Sequence, residues 1–165
     1  MSSFERRQIM RLLAALPLAG CGFTPVYGPG GAARGLIGQI RIEEPTDRNG
    51  FDLNGRLQER LGRAKSARWQ LSYRIKTEQV GLAVTTSNIT TRYNLLGSVS
   101  YSLTRSADGG LVKAGKVESF TSYSASGTVV STAASERDAN ARLMRILADQ
   151  IVTDLVASAG DWVEP

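Results

Sequence analysis

Histidine is absent from the 165 residues, and cysteine occurs once, at Cys21. Without histidine the chain lacks the commonest general base and metal ligand. A lone thiol excludes an intramolecular disulfide, Cys/His zinc sites and Cys–His nucleophile pairs. The Gly-x-Ser-x-Gly elbow is missing too: the nearest sequence, Gly97-Ser98-Val99-Ser100-Tyr101, lacks the second glycine and lies inside a strand pattern. No Ser-x-x-Lys motif and no close carboxylate pair stands out. No catalytic residue and no metal ligand is expected, and the chain reads as a non-enzyme. Long apolar runs are also lacking, since the most continuous one, residues 12–18, is far short of the roughly 20 residues that span a bilayer.

That short run has a setting. Arg6, Arg7 and Arg11 precede or open it, and Leu18-Ala19-Gly20-Cys21 closes it. A basic start, a brief apolar stretch and small residues at the end describe a secretory signal peptide over residues 1–20. The cut falls between Gly20 and Cys21, as in a bacterial lipoprotein box, and makes Cys21 the lipidation site. With about 0.8 kcal/mol per buried methylene, two or three acyl chains of palmitate type anchor stably where one is marginal. This covalent lipid is the only non-protein group expected. Removing 20 of the 165 residues leaves 145, enough for one domain with a real core. The removed piece holds three arginines and one glutamate, so the net charge falls from +5 to +3. A balance that mild is weak evidence for nucleic acid, which is not expected as a partner, and is compatible with an anionic one.

Residues 21–36 are rich in Gly, Pro and Ala and match no phosphate-loop fingerprint, so they read as a lipidated flexible tether. The domain is expected over residues 37–160. Ile40 and Ile42 alternate with Gln39 and Arg41, predicting a first strand over 37–43. Leu53, Leu57 and Leu61 recur at helical spacing, with Asp52/Arg56 and Glu59/Arg63 as acid-before-base pairs on the other face. Arg56, Arg60 and Arg63 read as a solvated basic face. Trp69, Leu71, Tyr73 and Ile75 alternate with polar residues, a half-buried strand. Residues 81–88 read as a connection, and 89–105 as a third strand interrupted near Gly97. Ala107-Asp108-Gly109-Gly110 is a hairpin turn. A fourth strand over 111–126 has Val117 and Phe120 out of step, which predicts a bulge between them. One face of the third strand carries hydroxyls and a single arginine, Arg92; it reads equally as a solvated face or as a surface for close approach. Ser135-Glu136-Arg137-Asp138 resembles a capping box opening a last helix, unless the Ala-rich residues before it are already helical, with Leu143, Leu147, Ile151 and Leu155 as its apolar stripe. Residues 161–165 read as a tail. The order β-α-β-β-β-α predicts an α+β two-layer sandwich: two helices packed on one face of a four-stranded, mostly antiparallel sheet.

The start Cys21-Gly22-Phe23-Thr24-Pro25-Val26-Tyr27-Gly28, and the final helix opening Ala133-Ala134-Ser135-Glu136-Arg137-Asp138-Ala139, resemble the LptE family of lipopolysaccharide-assembly lipoproteins in its alphaproteobacterial form. The resemblance covers the layout of most of the mature chain, although its middle is similar mainly in pattern. It implies a Gram-negative outer-membrane lipoprotein facing the periplasm, which plugs the LptD β-barrel and aids delivery of lipopolysaccharide to the outer leaflet. Its implied partners are an LptD-type barrel and lipopolysaccharide. The alternative is an adaptor lipoprotein, facing the periplasm, that binds another envelope component. The family's lipid-contacting basic residues do not transfer by motif. Arg92, Lys113 and Lys116, near sheet edges and turns, are the candidates for contact with glycolipid phosphates.

Overall fold

The computed structural model describes Gly28 and residues 32–84 and 90–163. The leader reading for residues 1–20, the cleavage and lipidation positions Gly20 and Cys21, and most of the tether lie outside the described residues. The elements are β1 (Ile40–Ile42), α1 (Arg48–Leu61), β2 (Trp69–Val84), β3 (Thr90–Arg105), β4 (Leu111–Ser124) and α2 (Val129–Ser158). Two 3-10 turns, Ala32–Gly35 and Ala159–Asp161, bracket them.

The sheet is ordered β1-β2-β3-β4. β1 and β2 are parallel, as a strand-helix-strand crossover requires, and the other pairs are antiparallel. The sheet is therefore mixed, and the two-helix α+β arrangement is the one expected. Asp47 caps α1 by accepting from the Gly50 amide at 2.6 Å, and Gly62, at φ +74°, ends it. Leu53, Leu57 and Leu61 of α1 and Leu143, Leu147, Ile151 and Leu155 of α2 are all buried in one core. Their stripes meet Leu71, Val99 and Leu103 on the sheet.

α2 starts at Val129 with Thr128 as its cap: of the two starts the sequence offers it takes the earlier, and the Ala-rich residues ahead of Ser135 are already helical. Three details differ from the sequence reading. β2 runs on to Val84, into the first four residues of the stretch read as a connection: β3 supplies its backbone hydrogen bonds whatever its side chains are. The bulge expected between Val117 and Phe120 is absent, since the β3–β4 register is unbroken there and shifts only between Leu103 and Thr104. Val117 faces the core opposite Val99, while Phe120 faces outward opposite Leu96. Gly97 does not interrupt β3. A Cβ there would lie 2.8 Å from Leu143 Cδ2 and 3.0 Å from Leu147 Cδ1, so this glycine is where α2 presses on the sheet.

Both ends of the described chain join the core. Leu36 is buried, Trp162 packs edge-on against Trp69 with ring centroids 5.2 Å apart, and Val163 closes over Gly35.

Candidate functional site

The helices take one face of the sheet, and the residues of opposite parity form an open face. The register places Arg74, Ser100 and Lys116 in one row across β2, β3 and β4, and Lys76, Ser98 and Glu118 in the next. Glu78, Leu96 and Phe120 form a third row, followed by Val80, Asn94 and Ser122. Ser72, Ser102 and Ala114 lie on the other side of the Arg74 row. Small hydroxyls thus fill the central strand while the charges stand on its two neighbours. A shallow depression of about 680 Å³, lined by Lys76, Glu78, Leu96, Ser98 and Glu118 among others, runs across this face. Leu96 and Phe120 are 40% and 61% exposed, an apolar island beside the cations. Lys116 Nζ pairs with Glu118 Oε1 at 2.5 Å; among the described residues Arg74, Lys76 and Arg92 make no ion pair. Arg74 and Lys116, two strand spacings apart, stand about 10 Å from one another.

The sequence candidates do not come together. Arg92 is exposed on the open face opposite Ser124. Lys116 is on the same face opposite Ser100, eight positions further along β3, or about 27 Å. Lys113 pairs with Leu103 and so points to the helix side, half-buried. The residues that do flank Lys116 are Arg74 and Lys76. Their signal was the even parity of the β2 pattern, usable only once the β2–β3 register is known.

The covered face is held by polar links of its own. Tyr101 Oη donates to Asp154 Oδ2 at 3.2 Å, and burial together with that carboxylate pushes the phenol up to about 12. Gly115 leaves room for the tyrosine, since a Cβ there would lie 2.6 Å from Tyr101 Oη. Asn54, the buried polar residue of the core layer, donates to the Glu43 carbonyl at 2.7 Å and accepts from Gln58 at 2.6 Å. Arg56 binds Asp149 of α2 through Nε and an outer nitrogen, each at 3.0 Å, and Glu59 at 2.8 Å. Arg60 approaches the same Asp149 oxygen at 3.5 Å. The pairs Asp52/Arg56 and Glu59/Arg63 are not formed: Asp52 meets Arg48, and Arg63 meets Gln58. Among the described residues no cluster of three or more His, Cys, Asp or Glu is placed to hold a metal, and no helix is long and apolar enough to cross a membrane.

The same fold occurs in solved bacterial lipoproteins. A provisionally named lipoprotein from Caulobacter crescentus CB15 is similar at TM-score 0.67 and 20% identity, covering 81% of this chain and 98% of that one. The rare lipoprotein B of Shewanella oneidensis gives 0.59 and 13%, covering 76% and 98%. A minor lipoprotein of Acinetobacter baumannii gives 0.55 and 16%, covering 74% and 94%. No curated protein matches the sequence. The family model LptE, lipopolysaccharide-assembly, matches residues 37–155, from the segment before β1 to the last buried leucine of α2. With most of its length inside that match, the chain belongs to the LptE family of lipopolysaccharide-assembly proteins.

Proposed function

We propose that this protein is the outer-membrane lipoprotein subunit of the lipopolysaccharide transport complex, plugging an LptD-type β-barrel and aiding delivery of lipopolysaccharide to the outer leaflet. The observation that carries the reading is the family match over residues 37–155. The sequence Leu18-Ala19-Gly20-Cys21 supports a lipid anchor at Cys21, and Gly22 after it fits sorting to the outer membrane, with the domain facing the periplasm. Within such a complex the domain has one face for itself and one for others. The open face offers cations, hydroxyls and an apolar island within a few strand spacings, a combination suited to phosphate and acyl groups of one amphiphile. Arg92, Lys113 and Lys116 remain the proposed phosphate contacts, and the row Arg74–Ser100–Lys116 gives Lys116 the strongest support of the three.

The test is purification of the tagged chain from detergent-extracted outer membranes. A large β-barrel recovered in near-equal amount is the expected result. Recovery of another envelope component without a barrel would favour the adaptor alternative.

A further inference from the structure

One edge of the sheet carries a row of backbone groups left mostly unpaired among the described residues. β4 is the outer strand there, 14 residues long and free of proline, and its pairing with β3 is unbroken from Lys113 to Ser124. The Ala125 amide donates to the Thr91 carbonyl at 2.9 Å, which sets the phase of this antiparallel ladder. Odd residues of β4 bond β3, and the even ones turn N–H and C=O outward. Arg142 reaches one such carbonyl, that of Ser122, at 3.4 Å. The outward groups of Lys116, Glu118 and Phe120 have no partner among the described residues. Sheet edges are ordinarily guarded by short strands, proline, bulges or unpaired charge. The opposite edge is guarded in this way: β1 has three residues, and the length of β2 beyond it carries Arg74, Lys76 and Glu78, which make no ion pair among the described residues. Along residues 116–122 of β4 the charges cancel: Lys116 pairs with Glu118, and Arg142, reaching in from α2, with Asp138. Tyr101, opposite Gly115, donates to Asp154 of α2, and Thr121 Oγ1 donates to the Ala139 carbonyl at 3.0 Å. The side of α2 that bears Arg142, Ile146, Gln150 and Asp154 therefore runs along β4. Ile146 is exposed on it, beside a shallow depression of about 330 Å³. The Gln150 side-chain oxygen is buried there with no hydrogen-bond partner among the described residues, an acceptor left unmet.

We infer that the β4 edge is a strand-acceptor site, which takes up an extended, uncharged polypeptide segment as a further strand of the four-stranded sheet. A row of outward N–H and C=O groups is complementary to another extended backbone, and the main-chain bonds made with it supply the affinity. The flank of α2 sets the side chains that such a segment needs. Ile146 and Gln150 stand about 6 Å apart along the helix, close to the roughly 6.7 Å between alternate residues of a strand. Alternate side chains of the added strand therefore lie over these two: an aliphatic one at Ile146 and, two positions away, a hydroxyl or amide donor for Gln150. Because the charges of this edge are already paired, a charged side chain would lose hydration there without finding a counter-charge. For its occupant this site rests on the plug reading and deepens it. Strands in the wall of a closed barrel are paired on both sides and have no free edge. The segment is therefore a lumen-facing loop or terminal arm of the barrel chain, held at the β4 edge while the open face of the sheet stays free for lipid.

The experiment is amide hydrogen exchange read residue by residue, on the tagged wild-type chain in its detergent-extracted barrel complex and on the chain alone carrying Cys21→Ser. In the chain alone the Lys116, Glu118 and Phe120 amides should exchange quickly and those of Gly115, Val117 and Ser119 slowly, since only the second set bonds β3. In the complex the first set should slow by about a hundredfold or more. Side chains packed against the sheet without an added strand would leave the alternation in place. A pair of variants reads the same edge independently. Glu118→Pro removes one outward N–H and sets a ring on the edge, at a position where proline spares the β3 ladder. It should lower recovery of the barrel by about tenfold, whereas Glu118→Ala, which deletes the same side chain and its pair with Lys116, should lower it by a smaller factor. Equal losses in the two would assign the effect to the side chain and overturn the proposal. A barrel complex in which the Lys116, Glu118 and Phe120 amides still exchange quickly would overturn it as well, with the plug reading intact, and that measurement decides the matter even if Glu118→Pro does not fold. Recovery of the wild type without any barrel is instead the failure of the plug reading, and removes the barrel-chain occupant with it.

Discussion

Gly97 and Gly115 both lie on the covered face of the sheet, and each makes room for a different neighbour. At Gly97 the neighbours are Leu143 and Leu147, on the stripe that holds α2 down, so neither can withdraw without opening the core. Gly97→Val is expected to destabilise the domain by about 2–3 kcal/mol through overpacking, visible as a lower thermal midpoint. Gly109, at φ +71° with open space around its missing Cβ, is a useful contrast. Gly109→Ala should cost only about 1 kcal/mol, from backbone strain alone. At Gly115 the neighbour is the Tyr101 phenol, which has a titration as well as a shape. Its folded value near 12 lies above the ordinary value of 10, so the protonated form is favoured by folding. That stability is fully present below pH 10 and is lost as pH rises towards 12. Urea titrations at rising pH should show wild-type stability falling across this window by about 2 kcal/mol more than that of Tyr101→Phe. Parallel losses in the two proteins would remove Tyr101 as the cause.

Among the elements, α2 is the one on which the rest of the core closes, and its two sides should respond differently to charge. Leu147→Asp places a carboxylate at a fully buried position with no partner and should leave the domain unfolded. Arg145 is exposed and among the described residues bonds only the Ala141 carbonyl, while Asp149 is already taken by Arg56 and Arg60. Arg145→Asp should therefore shift stability by about 0.5 kcal/mol or less, and equal thermal shifts for the two variants would mean that the buried side is misassigned. The stripes of α1 and α2 were legible in the sequence because a 3.6-residue period survives any tertiary context that buries one face. So were Trp69, Leu71, Tyr73 and Ile75. The extension of β2 into residues 81–84 was not, because over residues 76–82 the strand is exposed on both faces and carries no alternation. The Arg56–Asp149 bridge was hidden for another reason. It joins residues 93 positions apart, and the local i,i+4 rule nominated Asp52 instead. Trp162 and Val163, read as part of a tail, pack on Trp69 and Gly35 through contacts at least as distant in sequence.

At the scale of the whole molecule, the layers leave a sheet face whose chemistry is set by register rather than by any single strand. The hydroxyl character of β3 was visible from its alternation, but the cations that frame it belong to β2 and β4. A glycolipid phosphate lying over Ser98 and Ser100 would meet Arg74 from one side and Lys116 from the other, each through a charge-assisted hydrogen bond. Arg92, about 27 Å along the strand, and Lys113, on the helix side, cannot reach the same phosphate. The double variant Arg74→Glu, Lys116→Glu should therefore weaken lipopolysaccharide binding by tenfold or more, whereas Arg92→Glu, Lys113→Glu should weaken it by a smaller factor. Both need circular dichroism and thermal melts as controls, since Lys116→Glu also removes the pair with Glu118 and sets two carboxylates side by side. Binding by the wild type should fall with added salt, because these groups are exposed. A larger loss in the Arg92, Lys113 pair would take the lipid off the Arg74–Lys116 row, and the single variants would then say which end of β3 it occupies, since Arg92 and Lys113 stand at opposite ends. Equal, small losses in both folded variants would take the phosphates off the open face altogether, leaving that face for the wall of the barrel.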